Sequence, residues 1–326
     1  MATKKRPELT VKLRNAHHLH SFSRTLKDLR PVLELREPSH VNVDLSGLTF
    51  IGPACLALMV ATIRHGRDDG TIFSGTITYP ESVAARTYLH RMDAFRVLFE
   101  KEPLEIEDGV ERHEAGGLKE CEHFASADGG RRVAKGLAKA IQEKVQTDAV
   151  TADSLDVCLI ELTENVYFHA NTSTGGFAAA QTFKNSQEIE IAIVDLGVGI
   201  AESLSANPQH AADAVDDISA INTAIRPLVT ATPERNSGYG LALTRLLLEL
   251  NDGRLIVWSG EGKVQLGEKS YEKKVDRLPG TLVALRLHTD RPFDIATAYE
   301  RLNQALEDIE GPSDDDVRTL KKNETR

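Results

Sequence analysis

Apolar and polar positions alternate with two different periods in the first third of the chain. Val41-Asn-Val-Asp-Leu45 has the period of a half-buried strand, and Leu48-Thr-Phe-Ile51 prolongs that reading to a break at Gly52-Pro53. From Ala54 to His65 the period changes. Leu56, Met59, Val60 and Ile63 recur on one side of a helix, and Pro53 suits its first turn, where the missing N–H costs nothing. A polar turn, Gly66 to Gly70, leads to a strand over Thr71 to Tyr79 and a helix over Ser82 to Met92. Alternation of this kind predicts an α/β unit over residues 8–110.

A second patterned region follows a charged, glycine-bearing stretch at residues 101–130. Helices are predicted over Arg131 to Gln146 and Ser154 to Ala170, the latter with Thr151 as N-cap. Gly176 to Phe183 and Glu188 to Asp195 read as a strand hairpin, Ala201 to Ser237 as a long polar stretch, and Gly238 to Leu250 as a helix. Arg254 to Ser259 and Thr281 to Leu287 read as strands. The expected fold is therefore α/β in two domains, the second an α+β sandwich with one helical layer on one mixed sheet. The expected boundaries are 1–108, a linker at 109–125, 126–310, and a solvated tail at 311–326.

Composition narrows the classes. A chain of 326 residues is long enough for two cores, and 41% hydrophobic with 27% charged residues is ordinary for a globular protein. A net charge of -10 argues against nucleic acid as the main partner. Cys55, Cys121 and Cys158 lack metal-ligand spacing and read as buried thiols of a reducing compartment. No apolar signal core follows the basic start, and the run Leu56 to Ile63 falls far short of the roughly 20 residues a membrane helix needs. The expectation is a cytoplasmic protein with no membrane partner.

Candidate chemistry lies in the second region. On the helix ending at Ala170, Leu155, Leu159, Leu162 and Val166 form one stripe, and Cys158, Glu161, Asn165 and His169 form the stripe beside it. A carboxylate at that edge can orient and deprotonate a hydroxyl or water, and an amide one turn on can ligate Mg²⁺. Next, Ile191-Ala-Ile-Val-Asp-Leu-Gly-Val-Gly-Ile200 is a strand that ends in Asp195, placed to accept a hydrogen bond from an adenine amino group, with glycines that let the backbone turn tightly. Last, Asn236-Ser-Gly-Tyr-Gly-Leu-Ala-Leu243 opens a helix whose free N–H groups can hold phosphate oxygens.

In order and spacing these three elements resemble the N, G1 and G2 boxes of the GHKL superfamily: gyrase, heat-shock chaperones, histidine kinases and MutL-type repair ATPases. The resemblance covers residues 120–310 and implies a Bergerat-type fold binding ATP with Mg²⁺. It implies Glu161 as general base, Asn165 as Mg²⁺ ligand and Asp195 as the adenine-binding carboxylate. It places Gly197, Gly199, Gly238 and Gly240 around the nucleotide, with Ile200, Tyr239 and Leu241 beside them, and Thr281 at the adenine. Segment 201–237 corresponds to the mobile ATP lid. Within it Arg235 can meet the γ-phosphate, while His169 can either touch a phosphate or cap its helix; Glu164 is expected to face solvent. Two features depart from histidine kinases. Tyr239 and Ala242 stand where those enzymes carry small residues and glycine. No dimerisation helix with a phospho-acceptor histidine precedes the domain, since His113 and His123 lie in the glycine-rich stretch.

The N-terminal segment Val41 to Ile51 with its following helix, and His90 to Leu98, resemble the STAS fold of anti-sigma-factor antagonists. That family's phosphorylated loop corresponds here to Gly52, Pro53, Ala54 and Cys55, without a hydroxyl, so the phospho-switch is expected to be absent. Ser46 and Thr49 read as turn residues. The combined resemblance implies a Mg-ATP-binding regulatory switch with slow ATPase activity, in which lid closure controls a protein partner. The alternatives are a serine/threonine kinase of the anti-sigma-factor type acting on a STAS partner, and a non-catalytic nucleotide scaffold. A homodimer is a further expectation.

Overall fold

The computed structural model describes residues 7–16, 21–99, 118–144, 149–230, 238–291 and 293–310. The N-terminal unit opens with β1 (Glu8–Lys12), α1 (Phe22–Leu33), β2 (Ser39–Asp44), α2 (Pro53–Asp68) and β3 (Ile72–Thr78), and closes with α3 (Val83–Arg91) and α4 (Ala94–Phe99). Its three strands form a parallel sheet in the order β1-β2-β3. β2 alternates as its sequence predicts, with Val41 and Val43 inward and Asn42 and Asp44 outward. Leu48 to Ile51 does not extend it. The Asp44 carboxylate accepts the Ser46 N–H at 2.9 Å, which turns the chain, and Ile51 forms an isolated bridge with Ala16.

The second unit comprises β4 (Leu118–Phe124), α5 (Ala127–Gln142), α6 (Ala149–His169), β5 (Gly176–Phe183), β6 (Glu188–Asp195), α7 (Ile200–Ser205), α8 (Asp217–Ala224), α9 (Gly240–Leu250), β7 (Arg254–Gly267), β8 (Tyr271–His288) and α10 (Ile295–Glu310). Part of the expected linker is thus a strand: residues 118–124 pair antiparallel with β5. Helix α6 begins two residues before Thr151, so Thr151 is helical and not a cap. Both late strands outrun their predicted lengths, and α10 carries no earlier expectation.

The five-stranded sheet, ordered β4-β5-β6-β8-β7, is antiparallel throughout and not mixed. The reason is β8. A helical crossover carries the chain from β6 to β7, and these two do run parallel. β8 then inserts between them, antiparallel to both.

This sheet is apolar on both faces, and the period of two assigns each side chain to one of them. Ala178, Ala180, Ile191, Ile193, Val257 and Leu285 face α5 and α6. Phe177, Ala179, Ala192, Val194, Ile256, Trp258, Leu282 and Ala284 face the N-terminal unit and share one core with it. The element that covers this second face is α2. Residues Pro53 to Ile63 are buried on every side, which is the behaviour of a helix apolar all round. Ala179, Ala192 and Ala284 stand in register across β5, β6 and β8 and form a flat row of small side chains. Over that row, Cα atoms of α2 come within 8 Å of β5 and β6. Phe22 of α1 packs on Trp258, with ring centroids 4.9 Å apart.

Polar groups close the edge of this interface. Glu190 on β6 is 1% exposed; burial pushes its carboxyl up, while Arg286 and the Ala54 N–H at the start of α2 pull it back. Arg286 lies 3.3 Å from Glu190 and 3.6 Å from Glu188. Tyr88 donates to Gln181 Oε1 at 2.8 Å and stacks on Phe50. No helix among the described residues is long and apolar enough to cross a membrane.

Three outcomes follow from this packing. Trp258, the sole tryptophan, lies inside it, so its fluorescence and the far-UV circular dichroism should report one coincident urea transition. Ala192→Leu, which raises the alanine row, should cost about 1–3 kcal/mol in the same experiment. Arg286→Ala leaves two carboxylates without their cation and should cost about 3–5 kcal/mol, measured by the same unfolding curve.

Candidate functional site

Strand parity also decides what faces the helical layer. Asp195 follows Ile193 by two and Thr281 precedes Val283 by two, so both project toward α6 and not toward α2. They are opposite each other in the β6–β8 ladder. On α6 the stripe Leu155, Leu159, Leu162 and Val166 packs on the sheet as its spacing predicts. The neighbouring stripe divides. Cys158 joins a cluster with α9 and α10, while Glu161, Asn165 and His169 look onto a cavity.

The cavity opens between α6, α7, the start of α9 and the ends of β6 and β8, a concave setting of the kind that takes small-molecule ligands. Besides the three α6 residues, its walls include Asp195, Gly199, Ile200, Gly238, Gly240, Leu241 and Thr281. Ten of the positions singled out in the sequence, counting Glu161, therefore meet in one space. Gly197 stands just behind it and donates its N–H to Asp195 Oδ1 at 2.9 Å. Tyr239 departs from the expectation. It packs against the apolar cluster that α9 forms with α6 and α10, because the apolar side of α9 starts there. Arg235, His113 and the 311–326 tail lie outside the described residues. Glu164 is not solvent-facing: it lies 2.6 Å from Arg131 and ties α6 to α5. His123 is on β4, with Nε2 2.5 Å from the Thr174 carbonyl.

The geometry is tight where α6 meets α9. A Cβ at Gly240 would fall on the Glu161 side chain, so the glycine lets the helix start approach the carboxylate. Asp195 is 5% exposed. Burial pushes its carboxyl up to about 7, although the backbone N–H groups of Gly197 and Thr281 pull it down. Burial lowers the His169 imidazole below its ordinary value, which keeps it neutral near pH 7.

Several lining residues have no sequence signal of their own. Ser203, Leu204, Ala224, Val229 and Thr230 come from the polar stretch after Asp195, where no period marks an inner face. Ser259, which stands behind the wall and holds Ile200, lacks such a signal too. Its hydroxyl accepts the Ile200 N–H at 2.9 Å and donates to the Gly280 carbonyl at 3.1 Å, 3.3 Å from Thr281 Oγ1.

No group of three or more His, Cys, Asp or Glu side chains able to hold a metal occurs among the described residues. A divalent ion here would take the Asn165 amide oxygen and complete its shell with water and the oxygens of a bound anion. Mg²⁺ accepts such a set, so the residues fit it. No protein-family model matches the chain, and no curated protein sequence matches it.

The Asp195 shift makes a stability statement. The folded ligand-free protein holds a proton on Asp195 that the unfolded chain releases between 3.8 and about 7. That contribution is fully present below 3.8 and lost as pH rises through about 7. Asp195→Asn cannot ionise. Its melting temperature relative to wild type should therefore climb between about pH 5 and about pH 8, as read by thermal melts across that range.

Proposed function

We propose that the second unit is a Bergerat-type domain of the GHKL kind that binds Mg-ATP, and that the chain is a nucleotide-dependent regulatory switch with slow ATPase activity. One observation carries the reading: a carboxylate and an amide one helical turn apart share a cavity with a buried strand-end carboxylate. Each group has a part in the chemistry. Asp195 accepts the amino hydrogen of adenine, with Thr281 beside it. Asn165 would supply one oxygen to Mg²⁺, and the ion's charge would offset the phosphates. The free N–H groups at the start of α9 face phosphate oxygens. Glu161 takes the proton of the attacking water as the terminal phosphoryl group leaves. The neutral His169 imidazole offers a hydrogen bond without adding charge.

The N-terminal unit reads as a degenerate STAS-like module. Its parallel sheet and helices suit that fold, and the start of α2 bears Pro53, Ala54 and a buried Cys55 where an acceptor hydroxyl would stand. The Ala54 N–H is engaged by Glu190 of the chain's own second unit. Because α2 sits on the face of the sheet opposite the cavity, we assign the switch to nucleotide occupancy acting on a separate protein partner. Swinging of the N-terminal unit is not part of it.

Calorimetry with Mg-ATP and Mg-ADP should give saturable heat. Glu161→Ala should retain that heat and lose phosphate release by about 10²-fold or more, in the range general-base catalysis supplies. Phosphate release without labelling of protein favours the ATPase. Label on a serine or threonine of a STAS protein would identify the kinase alternative, and heat with neither product would identify a scaffold. Absence of heat with every nucleotide would refute the assignment. Affinity should also rise with pH through about 7, because the adenine hydrogen bond prefers the ionised Asp195.

A further inference from the structure

Segment 200–230 enters the fold as the cavity's outer wall, and three hydrogen bonds to β7 and β8 tie it down. At its start, the Ile200 N–H donates to Ser259 Oγ at 2.9 Å. At its centre, the Asp217 carboxylate on the first turn of α8 accepts the Glu261 N–H at 2.7 Å. The chain at Gly260-Glu-Gly262 is shaped to receive it. Gly260 has φ +55, a Cβ there would fall on the Asp217 carboxylate, and one at Gly262 would lie 2.7 Å from the Asp217 backbone. Asn222 on the same helix donates to Glu272 Oε1 of β8 at 2.8 Å. Within the segment itself, Asn207 Nδ2 donates to the Thr230 carbonyl at 2.9 Å and closes the stretch on itself. Between these points Leu204, Ala214 and Ala220 form an apolar cluster of the segment's own.

We propose that Ser259-Gly-Glu-Gly262 of β7 is a clip that holds residues 200–230 as a fixed wall, so that the nucleoside half of the site is built before ligand arrives. The inference rests on the nucleotide reading of the cavity and refines it. Ser259 and Asp217 are positioning residues. They touch no ligand, but they set where Ile200, Ser203, Leu204 and Ala224 stand in the cavity. The segment expected to be a mobile lid is, over this span, part of the scaffold. Binding of the base and ribose then needs no ordering of these residues, and the wall discriminates nucleosides by shape before the phosphates are engaged.

Hydrogen exchange on the full chain tests the wall directly, with calorimetry for ligand. In ligand-free protein the amides of α7 and α8 should exchange slowly, and adenosine should leave their protection nearly unchanged. Asp217→Ala should speed exchange in α8 and weaken adenosine and Mg-ATP alike by about tenfold, leaving the ratio of the two affinities as in wild type. Asp217→Asn, which keeps an oxygen for the Glu261 N–H, should restore both. Gly262→Ala, which pushes α8 off the strand, should match Asp217→Ala. Fast exchange of α7 and α8 without ligand, with protection gained on nucleotide binding, would overturn the clip. So would a Mg-ATP affinity that falls while adenosine affinity holds. Slow exchange in a protein that binds neither adenosine nor ATP would leave the clip standing and remove the nucleotide reading instead.

Discussion

Helix α2 lies over the alanines of β5 and β6, and the rest of the architecture depends on how closely it lies. A helix that packs on a sheet through large side chains stands well off the strands. Ala179, Ala192 and Ala284 remove those side chains from β5, β6 and β8, and Ala54, Ala57 and Ala61 occur on the helix itself. The approach removes a long apolar segment from water on two sides at once, since α2 also covers its own three-stranded sheet. It also forces what happens at the ends of the contact. Backbone and side chains this close leave no room for water around Glu190, so its carboxylate must be met by Arg286 and by the N–H at the helix start.

The same ladder serves two masters. Along β6 and β8, even-numbered Glu190, Ala192, Arg286 and Ala284 point to α2, and odd-numbered Asp195, Thr281 and Val283 point to the cavity. A sheet strand cannot be exposed on one face here without losing either the N-terminal unit or the site. This explains why both faces are apolar through the middle and polar only at the ends: Glu190 with Arg286 at one end, Asp195 with Thr281 at the other. The two polar pairs are joined by fully paired strands, so the N-terminal unit and the cavity share one ladder.

Much of this was legible in the chain. The α6 stripes followed from spacing alone, because a helix edge next to a core stripe must face whatever the core leaves open. Asp195 was legible as a strand end before a glycine turn. What escaped has a physical reason in each case. The run Pro-Ala-Cys-Leu-Ala-Leu-Met-Val-Ala-Thr-Ile was read as one-sided, although its lack of any polar face is the mark of a helix buried all round. β4 escaped because an edge strand of charged residues carries little alternation. The antiparallel sheet escaped because β8 inserts between its neighbours, and chain order does not reveal insertion. Ser259 and Gly260-Glu-Gly262 escaped because their partners, Ile200 and Asp217, come from a segment without periodicity. The turn at Asp44 was misread as continuing strand because Leu48 and Ile51 are as buried as strand residues would be.

Asp195 shows how the fold carries a cost for the sake of its site. A carboxylate at that depth loses hydration, and two backbone N–H groups compensate it only in part, as its raised proton affinity records. A neutral side chain would relieve the sheet end; on the proposed reading the carboxylate is kept because it accepts the amino hydrogens of adenine. The wall at 200–230 then has a second consequence. Under the proposed clip, Ile200 and Leu204 stay in the cavity wall that Asp195 also lines. A loose wall would let the aspartate hydrate and would weaken its preference for an amino group. On the proposed reading, rigidity of that segment and selectivity at Asp195 are one property, set by the clip on β7 and the burial of the strand end together.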